Sequence, residues 1–95
     1  MTWTFATDRL VPAHRVVTRV VGGATVLLNA RTGATFSLDE VGTIAWRHLT
    51  TKPSLRAAYD ALLAEYDVDE VTLRRDLEDL IGRLVSSGLA TIVRA

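Results

Sequence analysis

The chain has 95 residues and a mass of 10.4 kDa, a length that suits one domain. Eleven basic residues balance eleven acidic ones, whereas nucleic-acid-binding domains of this size usually carry a basic excess. Cysteine is absent, which excludes disulfides, thiolate nucleophiles and cysteine-ligated metal sites. No apolar run approaches the ~20 residues of a membrane span, and the N-terminus lacks the pattern of a secretion signal. We therefore expect a cytoplasmic protein.

Residues 1–13 are predicted to form an N-terminal arm, and residues 14–95 a single domain. Trp3, Phe5 and Leu10 give the arm apolar anchors, and Pro12 ends it. The interpretation that we favour is an arm packed across the domain. The alternative is a segment that mediates self-association, which leaves a homodimer open.

Three short strands are predicted between residues 14 and 38. Alternation of side chains begins at His14 and continues to the pair Gly22-Gly23, a signal for a tight hairpin. Residues 24–29 form the returning strand, and residues 29–33 have the composition of a turn. Ala34–Leu38 is the third strand. This pattern indicates an antiparallel meander.

Helical periodicity replaces the alternation after the third strand. Asp39, Ser54 and Asp69 are suited to be the N-caps of three successive helices. Gly88 is predicted to end the third helix in a Schellman arrangement, and residues 89–95 add either a short strand or a wing. The predicted fold is therefore α+β and winged-helix-like, a three-stranded antiparallel sheet followed by three helices.

Residues suited to catalysis are largely missing from the sequence. His14 and His48 have no second ligand at a metal-binding spacing, and the acidic groups are explained by helix caps and a solvated helix face. We therefore expect no enzyme, no metal and no cofactor. The third helix, from Asp69 to Ser87, carries three arginines against five acidic residues. Its charge disfavours, without excluding, a winged-helix DNA-binding regulator.

A binding module remains as the predicted function. The third strand is expected at an edge of the small sheet, where an extended peptide can pair with its free backbone groups. The third helix would form the opposite wall of a groove. The alternative is that this edge, like most sheet edges, is protected and binds nothing.

The order of these residues resembles the PqqD-like family. Its members are RiPP recognition elements, which bind the leader peptides of ribosomally synthesised peptide natural products. The matching segments are Arg15–Val21, Val26–Asn29, Thr32–Gly42, Ile44–Trp46, Leu49, Ala64–Asp69, Asp76–Leu77, Leu80–Ile81, Leu84 and Gly88–Leu89. Asp39 departs from the pattern, since the family often has Asn there, and the aromatic arm is not part of it.

The resemblance implies a site between the third strand and the third helix. The leader would add as an antiparallel strand to the third strand, against the residues Ala34, Thr35, Phe36, Ser37 and Leu38. From the third helix, Leu73, Leu77 and Ile81 would form apolar pockets, and Arg74 and Asp76 would make polar contacts. The alternatives are core packing for the three apolar residues and solvent exposure for Arg74. Leu80 and Leu84 are assigned mainly to the core.

The resemblance also implies partners. Stand-alone members of the family in lasso-peptide pathways work with a separate transglutaminase-like leader peptidase and with an asparagine-synthetase-like cyclase. Their leaders characteristically carry a Tyr-x-x-Pro motif. Two alternatives stay open, a PqqD-type peptide chaperone for the radical-SAM enzyme of pyrroloquinoline quinone synthesis and a subunit that acts mainly by binding a partner enzyme.

Overall fold

The computed structural model of the protein describes residues 3–94. Residues 1, 2 and 95, the outer ends of the predicted arm and domain, lie outside the described residues. The elements in chain order are β1 (Arg9–Pro12), β2 (Val16–Val21), β3 (Ala24–Asn29), β4 (Thr35–Leu38), α1 (Glu40–Thr51), α2 (Leu55–Glu65), α3 (Glu70–Ser86) and β5 (Ala90–Val93). They form one antiparallel sheet in the order β2-β3-β4 and a second, two-stranded sheet of β1 and β5.

The three-stranded sheet confirms the predicted meander. Gly22 and Gly23 have φ values of 57° and 88°, the left-handed conformations that a two-residue hairpin turn requires. The β3–β4 connection ends at Gly33, which has a φ of 79°. The third predicted strand begins at Thr35, one residue later than expected.

The buried face of β3 carries polar side chains as well as apolar ones. Thr25, Leu27 and Asn29 are buried, and Val26 and Leu28 lie on the exposed face. The Asn29 side-chain amide donates to the Gly88 carbonyl over 2.8 Å, and its Oδ1 accepts from the backbone N–H groups of residues 31 and 32. Because these groups are paired, the buried polar residues cost the fold little.

All three predicted helices and their N-caps are present. The side chains of Asp39, Ser54 and Asp69 each accept a hydrogen bond from a backbone N–H three residues later, over 2.7, 3.0 and 2.9 Å respectively. At the other end of α3, Gly88 has a φ of 74° and the Leu89 N–H donates to the Leu84 carbonyl. This is the predicted Schellman arrangement.

The predicted arm packs on the domain and also supplies a strand. β1 pairs with β5, which forms from the tail, with Arg9 opposite Val93. Phe5 is buried, with its ring edge-to-face to Tyr59 at 5.6 Å and the Arg74 guanidinium 3.8 Å from its centroid. The segment therefore joins α2 and α3 in one hydrophobic core.

That core lies between the sheets and the three helices. Its fully buried members include Leu10, Leu27, Leu49, Leu55, Ala58, Ile81, Leu84 and Leu89. The helical periodicity of residues 41–49 predicts that Val41 faces inward with Ile44, Ala45 and Leu49, but Val41 is 56% exposed. Within residues 3–94, no helix is long and apolar enough to cross a membrane.

Candidate functional site

Along the outer edge of β4, some backbone groups have no partner among residues 3–94. The Asn29 N–H donates to the Ala34 carbonyl over 2.9 Å, so residue 34 directs its backbone groups toward β3. In an antiparallel ladder this direction alternates from residue to residue. Phe36 and Leu38 therefore also pair with β3, whereas the N–H and C=O groups of Thr35 and Ser37 point away from the sheet. These two residues form an open rail along the strand.

The side chains of β4 alternate in the expected way. Thr35 and Ser37 are exposed, Phe36 is half-buried and Leu38 is buried. The Arg83 guanidinium of α3 lies 5.0 Å from the centroid of the Phe36 ring. This contact connects α3 to the open strand and bounds one end of the space between them.

A cavity of about 280 Å³ opens near the other end of this space. The first two turns of α1, the end of α2, the α2–α3 connection and the first three turns of α3 surround it. The lining residues are Val41, Gly42, Ala45, Leu62, Tyr66, Val68, Thr72, Leu73, Asp76, Leu77 and Leu80. The wall is mainly apolar, and Asp76 is the charged side chain on it. We call the open edge of β4 together with this cavity the groove.

The structure places the predicted residues of α3 on different sides of that helix. Leu73 and Asp76 line the cavity, and Leu77, which is 3% exposed and belongs to the core, also contacts it. Ile81 has no exposed surface and lies in the core, whereas Leu80 packs against the core as expected and also lines the cavity. The reason is the turn of about 100° between successive helical residues, which separates the directions of these two neighbours.

Arg74 also lies away from the groove. Its guanidinium stacks on Phe5, and its Nε is 3.5 Å from a carboxylate oxygen of Glu78, without hydrogen-bond geometry. In this position Arg74 fixes the N-terminal segment to α3. A polar contact between this side chain and a peptide in the groove would require it to leave both neighbours.

Sequence reasoning missed some of the residues that line the cavity. Val41 and Tyr66 belong to the first turn of α1 and the C-terminal cap of α2. An apolar residue in the first turn of the helix that follows the edge strand is a sequence signal that could have identified Val41. The position of Tyr66 depends on how α2 packs beside α3, which local periodicity does not show.

The charges of α3 do not form a basic surface. Each arginine of this helix has an acidic neighbour on it, at 3.5 Å for Arg74–Glu78, 4.0 Å for Arg75–Asp76 and 3.6 Å for Arg83–Asp79. At the start of the helix, hydrogen bonds from the Thr72 backbone and hydroxyl lower the pKa of Asp69 below its usual value. This pattern opposes placement of α3 against phosphates.

The histidines have structural explanations. His48 contacts Glu65 at 2.7 Å, and His14 is exposed before β2. Among residues 3–94, no three His, Asp or Glu side chains are grouped so that they could hold a metal ion.

An open sheet edge beside an apolar cavity, framed by three helices, characterises this small α+β domain. Residues 24–90 match the sequence model of Coenzyme PQQ synthesis protein D (PqqD), and the chain belongs to the PqqD family. The predicted resemblance and the predicted fold are both confirmed. No curated protein matches the chain significantly.

Two solved structures are similar to the whole fold. One is TbiB1 in complex with the TbiA(beta) leader peptide, which is 35% identical with a TM-score of 0.77; the match covers 84% of this chain and 93% of that chain. The other is a lasso peptide synthetase B1 complexed with the leader peptide, which is 24% identical with a TM-score of 0.75; it covers 90% and 98% respectively. Because the sequence identity of the second match is only 24%, this match shows a similarity of fold alone.

Proposed function

We propose that this protein is a non-catalytic RiPP recognition element that binds the leader peptide of a ribosomally made precursor. The observation that carries the proposal is the open rail of Thr35 and Ser37 beside the apolar cavity. Its support from the comparisons is the 35% identity to TbiB1, a protein solved with a leader peptide.

Strand addition explains how the groove selects a peptide. The backbone groups of the rail can form hydrogen bonds with any extended peptide, because they do not contact its side chains. Selection among peptides therefore depends on the side-chain contacts. Alternate side chains of an added strand point to the same face, so every second one is directed to the cavity or to α3. A cavity of about 280 Å³ with an apolar wall suits a large apolar or aromatic side chain. The tyrosine of a Tyr-x-x-Pro leader is such a side chain.

We further propose that the pathway is that of a lasso peptide and that the protein works in the cytoplasm with separate enzymes. It would deliver the leader to a transglutaminase-like peptidase, and possible further partners are the cyclase and a second copy of the chain. Holding the leader raises the effective concentration of the precursor at the peptidase, without any chemistry in the groove. The alternative is a peptide chaperone for a radical-SAM enzyme. In that case the partner enzyme and the bound leader would differ from those of a lasso-peptide pathway.

Fluorescence anisotropy tests the proposal. Labelled probes are the TbiA(beta) leader, the leader encoded beside this protein's gene and the precursor peptide of pyrroloquinoline quinone synthesis. We expect saturable binding of a lasso-type leader, and weaker binding when its aromatic residue is changed to Ala. Binding of none of the three by a protein with native circular dichroism would refute peptide capture. A salt-dependent shift of duplex DNA would favour the regulator instead.

A further inference from the structure

We propose that the groove carries opposite charges at its two ends and thereby selects the charge order of the leader. A basic residue would lie near Asp76, and an acidic residue would follow it toward the peptide's C-terminus near Arg83. This inference rests on the proposed function. It adds a specificity determinant that shape and backbone pairing do not provide.

The direction of the peptide follows from the strand that it joins. A peptide antiparallel to β4 places its N-terminal part beside Leu38 and its C-terminal part beside Thr35. The first turn of α1 follows Leu38 directly. The cavity is lined by Val41 and Gly42 of that turn and by Asp76 of α3, so the N-terminal part of the peptide meets Asp76.

The Asp76 end of the groove is negative. The Asp76 side chain is 69% exposed, and its ion-pair partner among the described residues is the adjacent Arg75, at 4.0 Å. No Lys or Arg lines the cavity in the part of the chain that the structure describes. A cation on the peptide is therefore attracted to this end.

The other end of the groove is positive. The Arg83 guanidinium lies over Phe36, the residue between the two rail positions of β4. Its ion pair with Asp79 is 3.6 Å long and both side chains are more than 60% exposed, so this pair contributes little stability and can be exchanged. A guanidinium has five N–H donors, which leaves some for a peptide carboxylate.

The spacing of the two residues sets the spacing of the peptide charges. Asp76 and Arg83 are seven positions apart on α3, which is about 10.5 Å along the axis. A strand rises about 3.4 Å per residue, so about three peptide residues cover this distance. Since residues on one face of a strand are an even number of positions apart, we expect the acidic residue two or four positions after the basic one.

Peptide selection on a display library tests this order. The library is the TbiA(beta) leader with the positions around its aromatic residue randomised, and the bait is the full chain. We expect the wild type to enrich a basic residue followed by an acidic one. Asp76→Lys should remove the basic preference, and Arg83→Glu should remove the acidic one. Each reversal should weaken an enriched peptide about 3- to 10-fold, and less at high salt.

The control variants reverse the charges of an exposed ion pair whose residues do not line the groove. Arg56 and Asp60 form an exposed i,i+4 ion pair on α2, so Arg56→Glu and Asp60→Lys should leave the selected order unchanged. Equal charge preferences in the wild type and both groove variants, with strong enrichment of apolar anchors, would overturn the charge proposal and leave leader capture intact. No enrichment of any peptide would overturn both.

Discussion

Replacement of Ser37 by proline separates peptide binding from folding at the β4 edge. The Ser37 N–H points away from β3, so its loss removes no hydrogen bond of the sheet. Proline is tolerated on edge strands for this reason. The same N–H is one of the two donors of the proposed rail, and an added peptide strand would lose it as a partner.

The magnitude follows from one backbone hydrogen bond. A typical bond of this kind has a net value of about 0.5–1.5 kcal/mol, which corresponds to roughly 2- to 13-fold in Kd. The proline ring also fills the space on the open side, so we expect the upper part of this range. The free energy of unfolding should change by less than about 1 kcal/mol.

The matched control is Thr18→Pro on the opposite edge of the same sheet. The Ala30 N–H donates to the Arg15 carbonyl, which sets the alternation in β2 and directs the Thr18 N–H away from β3. Anisotropy titrations with a labelled leader and urea denaturation should show weakened binding for Ser37→Pro alone and similar stability for both variants. Equal leader affinity in Ser37→Pro and the wild type would refute strand addition at β4.

Three further changes probe the framework around the groove. Phe5→Ala should lower the free energy of unfolding by about 3 kcal/mol in urea, because it empties a buried aromatic contact with Tyr59; a loss below about 1 kcal/mol would show that the N-terminal segment contributes little. Asn29→Ala leaves the Gly88 carbonyl without its donor and should lower the Tm in calorimetry by roughly 10 °C, and an unchanged Tm would contradict this. The pKa of folded Asp69 lies below the usual 3.8, so its contribution to stability is present above that pH and is lost as the pH falls through the folded pKa. The urea midpoint of the wild type should fall between pH 5 and pH 2, and it should fall less in Asp69→Asn. An equal fall in both proteins would argue against this cap as a source of acid sensitivity.

Local chemistry explains the parts of the fold that the sequence predicts well. Gly22-Gly23 and the caps Asp39, Ser54 and Asp69 act within three or four residues of their own position, so their effects are readable from short segments. The edge position of β4 follows from the meander itself. These features also place the open rail, which is the backbone part of the candidate site.

The remaining features depend on packing between distant segments. β1 and β5 have four residues each, and no turn connects them, so nothing local indicates their pairing. On α3 the apolar residues cover a wide stripe, and the sequence does not show which side of the stripe faces the core. For this reason the sequence does not show that Ile81 lies wholly in the core or that Leu80 also lines the cavity.

The β1–β5 ladder makes the chain nearly circular. It holds Arg9 next to Val93, which are roughly eighty residues apart in sequence, so closing this contact costs more chain entropy than any hairpin in the domain. A linker that joins the two ends of the chain and keeps the buried Phe5 segment, with new ends cut at the exposed Gly22-Gly23 turn, would make that distant contact local. The same cut would separate β2 from β3 along the chain, so the permutant would exchange one distant pairing for another and keep the rail of β4 uninterrupted.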